Sequence, residues 1–283
     1  MPATLILHLG LHKTATTALQ DFLAAESRAL AAKGVACPRL ARMRSDVTPL
    51  VVSAARPDRA ALGRLVAKVR LPVLLLSDEN MLGAPGDLLG GALYPYAENR
   101  IRRVCDQFAD RRIRLHLTLR SPAAFLASMY CEFLRHNPWL PFADYVAGLD
   151  VAGFAYAATF DWLFALPAHV AVTVTPFETA RGGGVRTIAS RLLDAACGPG
   201  HGIDLDRFPA ARSRSSYSLE ELDLAAEVAA RADPKTAQHF LVMLDARDRR
   251  FGSTRFDPLP TATAAALEAR YERDLAAFAR LPG

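Results

Sequence analysis

Residues 4–17 read TLILHLGLHKTATT. Thr4–Leu9 is an apolar run of strand length, and Gly10 to Thr17 follows as a tight polar loop. From Thr16 the periodicity turns helical. Residues 16–32 bring Leu19, Phe22, Leu23 and Leu30 near one face, and Gly34 stands where a C-terminal cap belongs. The chain therefore opens with a strand feeding a helix through a glycine turn.

The same alternation continues outward from this stretch. A short strand is expected at 34–38. A helix is expected over 59–70, with Leu62, Leu65, Val66 and Val69 on one side. PVLLLS (72–77) is a continuous apolar run that suits a strand buried on both faces. A helix over 97–110 precedes IRLHLTL (113–119), where apolar and polar residues alternate at strand period. Ser121 and Pro122 suit an N-cap and first helical position, opening a helix to about Arg135. A further strand is expected at 169–175. Residues 182–184 and 198–216 read as loops. Ser218 and Glu221 form a capping-box pattern for a helix to about Arg231. After a loop at 249–260, a last amphipathic helix over 262–280 carries Leu267, Tyr271, Leu275 and Phe278. Strands alternating with helices predict a three-layer α/β fold, a mainly parallel central sheet with helices on both faces. No linker divides the chain, so residues 1–283 are expected to form a single domain.

Composition narrows the function classes. Hydrophobic residues make up 51% and charged residues 22%, which excludes a disordered chain. Lys and Arg number 34 against 29 Asp and Glu. That surplus is too small for a general nucleic-acid coat but allows a local pocket for an anion. No apolar run reaches the ~18 residues of a membrane span, and the first residues carry no basic leader, so a cytoplasmic location is expected. Cys37, Cys105, Cys131 and Cys197 form no C-x-x-C pair and read as scattered reduced thiols. His8 and His12 are four apart, but across a strand–loop junction, so no metal site is expected.

The loop has its own chemistry. Amides at a helix start point outward unpaired, and the helix dipole adds positive character. Gly10 permits the turn, Lys13 adds a full charge, and Thr14, Thr16 and Thr17 add hydroxyls, a cradle for a phosphate or sulfonate. The nucleotide-triphosphate pattern G-x-x-x-x-G-K-[ST] is absent, since no second glycine precedes Lys13. The bland alternative is an ordinary turn with a solvated lysine.

The run HLGLHKTATTALQ (8–20) resembles the 5′-phosphosulfate loop of sulfotransferases that use 3′-phosphoadenosine 5′-phosphosulfate (PAPS). It is most similar to the bacterial branch, where Gly-x-x-Lys-Thr-Gly-Thr-Thr is usual. Ala15 stands where that family has glycine. If position 15 needs positive φ, alanine is strained by roughly 1–2 kcal/mol; if it is helical, alanine is harmless.

The resemblance implies a P-loop-like sulfotransferase architecture and a nucleotide whose 5′ end is held by His12, Lys13, Thr14, Ala15, Thr16 and Thr17. It extends to Arg120 and Ser128, spaced like the family's 3′-phosphate site, and loosely to Arg212 and Arg214 in the polar stretch 212–218, similar to a segment that helps close over the nucleotide. Two catalytic roles follow from it: Lys13 neutralises charge on the departing phosphate, and Glu79, at the tip of the strand 72–77, takes the acceptor proton. Asp78 is the second candidate base and His12 the third, whereas His116 reads as a packing histidine. The implied acceptor is a carbohydrate, glycolipid or other small hydroxyl compound. Trp139, Phe142, Tyr145, Phe154 and Tyr156 either stack on a sugar or fill the core. Two other readings remain: a nucleotide-dependent kinase, with LLLSD (74–78) as a strand ending in a magnesium-binding aspartate, and a binding protein that has lost turnover.

Overall fold

The computed structural model describes residues 2–53, 59–178, 185–208, 216–246 and 251–282. Strands β1 (Thr4–Gly10), β2 (Val35–Ala36), β3 (Val73–Ser77), β4 (Arg112–Leu119) and β5 (Val170–Pro176) form one parallel sheet in the order β2-β3-β1-β4-β5. From β1 the chain builds β2 and β3 on one side, then crosses to β4 and β5 on the other. The strand order thus reverses at β1, and a crevice opens beyond the carboxyl ends of the strands there. His8 is in register with both Ser77 and His116, and Gly10 with Thr118, so the ends of β1, β3 and β4 emerge together.

The period of two sorts side chains to the two faces. Leu5, Leu7 and Leu9 join Leu74, Leu76, Leu115 and Leu117 in the larger core; Ile6 and Leu75 point into a second, smaller one. Seven helices of ten residues or more are described: α1 (Thr16–Ala25), α2 (Ala97–Gln107), α3 (Pro122–His136), α4 (Val185–Cys197), α5 (Leu219–Arg231), α6 (Pro234–Asp245) and α7 (Thr261–Phe278). Phe22 of α1 and Leu192 of α4 cover the smaller core, whereas Ile101 of α2, Phe125 of α3 and Tyr271 of α7 pack into the larger one. Helices therefore flank the sheet on both faces, the expected three layers. Burying a side chain such as Phe22 is worth about 2–3 kcal/mol.

Three local expectations change. The helix over 16–32 is broken at Glu26 (φ −86°, ψ 12°), whose buried carboxylate faces Arg207 at 3.2 Å. Helix α6 was not expected. Asp233 caps it, accepting from the Lys235 and Thr236 amides, and Pro234 opens it. Helix α4, also unexpected, buries Ile188, Leu192 and Ala196 at helical spacing. The aromatic segment fills the core: Tyr145 and Tyr156 are fully buried and Phe154 nearly so, with Trp139 and Phe142 packed against them. His116 lies beside His8 on the smaller-core face, and burial pushes its pKa down to about 4. Among the described residues, no helix is long and apolar enough to cross a membrane.

Candidate functional site

The loop after β1 is shaped by left-handed backbone. Lys13 (φ 67°) and Ala15 (φ 58°) both have positive φ, so the strained alternative holds at Ala15. The Leu11 amide donates to the Thr118 carbonyl at 2.9 Å, anchoring the loop to β4. Thr14 closes the turn: both its amide (3.2 Å) and its hydroxyl (2.6 Å) donate to the Leu11 carbonyl. Its hydroxyl proton is therefore committed to the fold. Thr16 is buried over Gly10, while Thr17 is exposed. A Cβ on Gly10 would come within 2.5 Å of Thr16 Cγ2 and 2.8 Å of Thr14 Oγ1; only glycine lets the loop fold back this closely. Ala15 is the N-cap of α1, and no side chain caps the helix. Its first amides carry the partial positive charge of a helix N-terminus.

Lys13 and Arg120 meet at this loop. Arg120 Nη1 donates to the Lys13 carbonyl at 2.8 Å, and its guanidinium lies over the Phe177 ring, 5.6 Å from the centroid. The Tyr156 hydroxyl fixes the Arg120 carbonyl at 2.8 Å. The Lys13 ammonium is 3.4 Å from Glu132 of α3. Burial, seconded by the Arg135 charge, pulls the Lys13 pKa below the ordinary lysine value, and Glu132 opposes the shift.

Arg120 and Ser128 share a cavity of about 240 Å³ with Ser216, Ser218, Thr254 and Arg255. Ser128 Oγ lies 3.3 Å from Ser216 Oγ. The far wall is tied down by helix α5. Buried Glu221 accepts from the Ser218 amide at 2.9 Å and the Phe251 amide at 3.1 Å, and Ser218 Oγ donates to the Phe251 carbonyl at 2.7 Å. Sequence reasoning missed Thr254 and Arg255; Ser216 falls in the segment 212–218 that the resemblance marked, though no role was assigned to it. The capping box was legible, but not that its glutamate also holds a segment 30 residues on. Arg212 and Arg214 lie outside the described residues.

The tip of β3 is closely hydrogen-bonded. Asp78 is fully buried; Thr48 Oγ1 donates to its Oδ2 at 2.6 Å and the Asn80 amide to its Oδ1 at 3.1 Å. Burial raises its pKa. Glu79, also buried, pairs through Oε1 with Arg44 at 2.8 Å and through Oε2 with Gln20 at 3.3 Å. His12 is bonded on both ring nitrogens, Nδ1 to the Tyr94 hydroxyl at 2.6 Å and Nε2 to Asn80 Oδ1 at 3.1 Å. With the Asn80 oxygen accepting, Nε2 carries the proton and Nδ1 accepts from Tyr94. Burial lowers the His12 pKa, which keeps the ring neutral. The His12 amide also donates to the Tyr94 hydroxyl at 3.3 Å, clamping the entry to the loop.

The structure thus brings Lys13, the α1 amides, Arg120 and Ser128 to one side of the crevice, with His12, Asp78 and Glu79 on its β3 side. Among the described residues, no group of three or more His, Cys, Asp or Glu side chains is placed to hold a metal ion. No family model, curated protein or solved structure matches the chain.

Proposed function

We propose that the chain transfers a sulfonate group from PAPS to a hydroxyl or amine of a carbohydrate, glycolipid or other small acceptor. The observation that carries this reading is the 2.8 Å bond from Arg120 Nη1 to the Lys13 carbonyl. It puts the cation at the end of β4 in contact with the anion cradle at the end of β1. A ligand with negative charge at both ends suits two adjoining anion sites, and a single phosphate would use only one of them.

When bound, the nucleotide supplies a sulfonate on a phosphate leaving group. Such a transfer asks a protein mainly for positioning and charge stabilisation. In this reading the α1 amides, with the Thr16 and Thr17 hydroxyls, hold the 5′ anion. Thr14 shapes the loop rather than donating to it. Arg120 and Ser128, with Ser216, Thr254 and Arg255 opposite, hold the 3′-phosphate, since a guanidinium flanked by hydroxyls matches phosphate oxygens. Arg212 and Arg214 join this set only through the family resemblance. Lys13 offsets charge on the departing phosphate. Glu79 takes the acceptor proton by exchanging one of its present contacts, of which that to half-exposed Arg44 is the easier to open. Asp78 and His12 serve as supports: Asp78 is fully buried, and His12 is held through both ring nitrogens by Tyr94 and Asn80.

Calorimetry with adenosine 3′,5′-bisphosphate tests the reading, with ATP and magnesium as the control for a kinase. The wild type is expected to bind the bisphosphate without metal. Lys13→Ala and Arg120→Ala are each expected to lose about 100-fold in affinity, the scale for removing one partner of a desolvated charge contact. Glu79→Gln is expected to keep the affinity and lose transfer. Unchanged binding in both cation variants rejects the site.

A further inference from the structure

This inference rests on the transfer reading and concerns how Lys13 is held. Glu132 lies on α3 one turn beyond Ser128. Its Oε2 is 3.4 Å from Lys13 Nζ and 2.8 Å from Arg135 Nη1. Arg135 is buried and also donates through Nε (2.8 Å) and Nη2 (3.4 Å) to Asp245, to which the Tyr217 hydroxyl donates at 2.8 Å. The two contacts at Glu132 Oε2 are unequal. The Arg135 bond has the length of a charge-assisted hydrogen bond, whereas the Lys13 contact is longer than an ordinary one. The other carboxylate oxygen, Oε1, has exposed His136 at 3.6 Å.

The asymmetry has a consequence for binding. If Lys13 turns away, Glu132 keeps Arg135, so no buried carboxylate is left without its partner and the cost of release is small. An anion seated on the α1 amides competes with Glu132 for the same ammonium. We propose that Glu132 is a positioning residue that holds the Lys13 ammonium in reserve beside the anion site and sets nucleotide affinity by competing for it.

A strut that merely supports the fold weakens binding when it is removed; a competitor strengthens it. The experiment is calorimetry with adenosine 3′,5′-bisphosphate at low ionic strength on the wild type, Glu132→Gln, Lys13→Gln and the double variant. Glu132→Gln is expected to bind about fivefold tighter than the wild type, the scale of a partly exposed ion pair. In the Lys13→Gln background the same change is expected to matter less than about twofold, because the competition acts through the lysine. Weakened or unchanged affinity in Glu132→Gln overturns the inference. So does an equal gain in both backgrounds, which marks a general charge effect. Should Glu132→Gln melt well below the wild type, Glu132→Asp, which retracts the carboxylate from Lys13 by one methylene, is expected to show a gain of the same sign, and no gain overturns the inference. Binding by the wild type without a gain in the variant defeats this inference alone; no binding by the wild type defeats the transfer reading and this inference with it.

Discussion

At the end of β1 the chain holds Lys13 and Ala15 at positive φ and leaves the first amides of α1 without a side-chain cap. At the end of β3, one strand away, both oxygens of Asp78 and both of Glu79 already have hydrogen-bond partners, drawn from Thr48, Asn80, Arg44 and Gln20. The first end spends backbone strain to keep donors open. The second spends side chains to keep acceptors closed. Open donors with partial positive charge are what an anion needs; hydrogen-bonded carboxylates brace the crevice, and of the two it is Glu79 whose bond to half-exposed Arg44 can be exchanged. Two acidic residues at a strand tip are therefore not equivalent to an exposed acidic patch, and the partners decide which they are.

The sharpest way to break this comparison is Gly10→Ala. The added methyl has no room, since its nearest neighbours are Thr16 Cγ2 and Thr14 Oγ1. Thr14 cannot yield without giving up its bond to the Leu11 carbonyl. Overpacking of this kind costs about 1–3 kcal/mol, and the loop that absorbs it is the proposed anion cradle. The expected result in thermal melting and calorimetry is a lower Tm together with loss of bisphosphate binding. A variant that melts lower but binds normally shows that the cradle does not depend on this close approach.

Much of this arrangement was legible beforehand, and the reason is periodicity. The alternation in 113–119 and the apolar run in 72–77 specify strands by local rules, and the loop between Gly10 and Thr17 declares its donors by residue type. Arg120 at the end of a strand could likewise be placed at the crevice mouth. What was not legible is long-range and made of single side chains. Nothing local in Glu132 indicates that it will meet Lys13, 119 positions away. Tyr94 gives no sign that its hydroxyl will clamp His12 from 82 positions on. Thr14 looked like a ligand donor, and only the folded turn shows its hydroxyl turned back on Leu11. Helix α6 is a different case, because Asp233 and Pro234 with Ala237, Leu241 and Leu244 at helical spacing are a readable start signal and stripe.

Below both strand ends, a buried tie gives a pH test that sharpens the contrast. His8 Nδ1 is 2.9 Å from Ser77 Oγ, joining β1 to β3, and His8 Nε2 has no hydrogen-bond partner among the described residues. Burial, with the His116 charge a lesser cause, pushes the His8 pKa down to about 3 from 6.5. The sign follows from proton counting. Between these two pH values the unfolded chain binds a proton that the folded protein refuses, so stability rises with pH across the window and is lost on acidification below about 6.5. One proton contributes a slope of about 1.4 kcal/mol per pH unit. Denaturant melts at pH 5, 6 and 7 are expected to show the fall, and His8→Gln to reduce its slope by close to one proton. An unchanged slope in the variant removes His8 from the account of the acid sensitivity.

The smallest expected effect bears most directly on the strained end. Ala15 is left-handed at φ 58°, ψ 28°, which costs an alanine about 1–2 kcal/mol. Glycine at 15 relieves that cost but gains backbone freedom in the unfolded chain, a penalty of about 0.5–1 kcal/mol. The balance for Ala15→Gly is a gain of about 0.5–1 kcal/mol, which for a chain of this size raises Tm by about 2 °C. Bisphosphate affinity is expected to stay within about twofold, because the backbone already has the shape that glycine would permit. The alternative outcome is informative in a definite direction. If Ala15→Gly lowers Tm, the residue is not paying for positive φ and the strained-donor account of the β1 end fails. If stability rises while affinity falls, the alanine is holding the amides in place by limiting what the loop can do, and its departure from the glycine pattern is a means of rigidity.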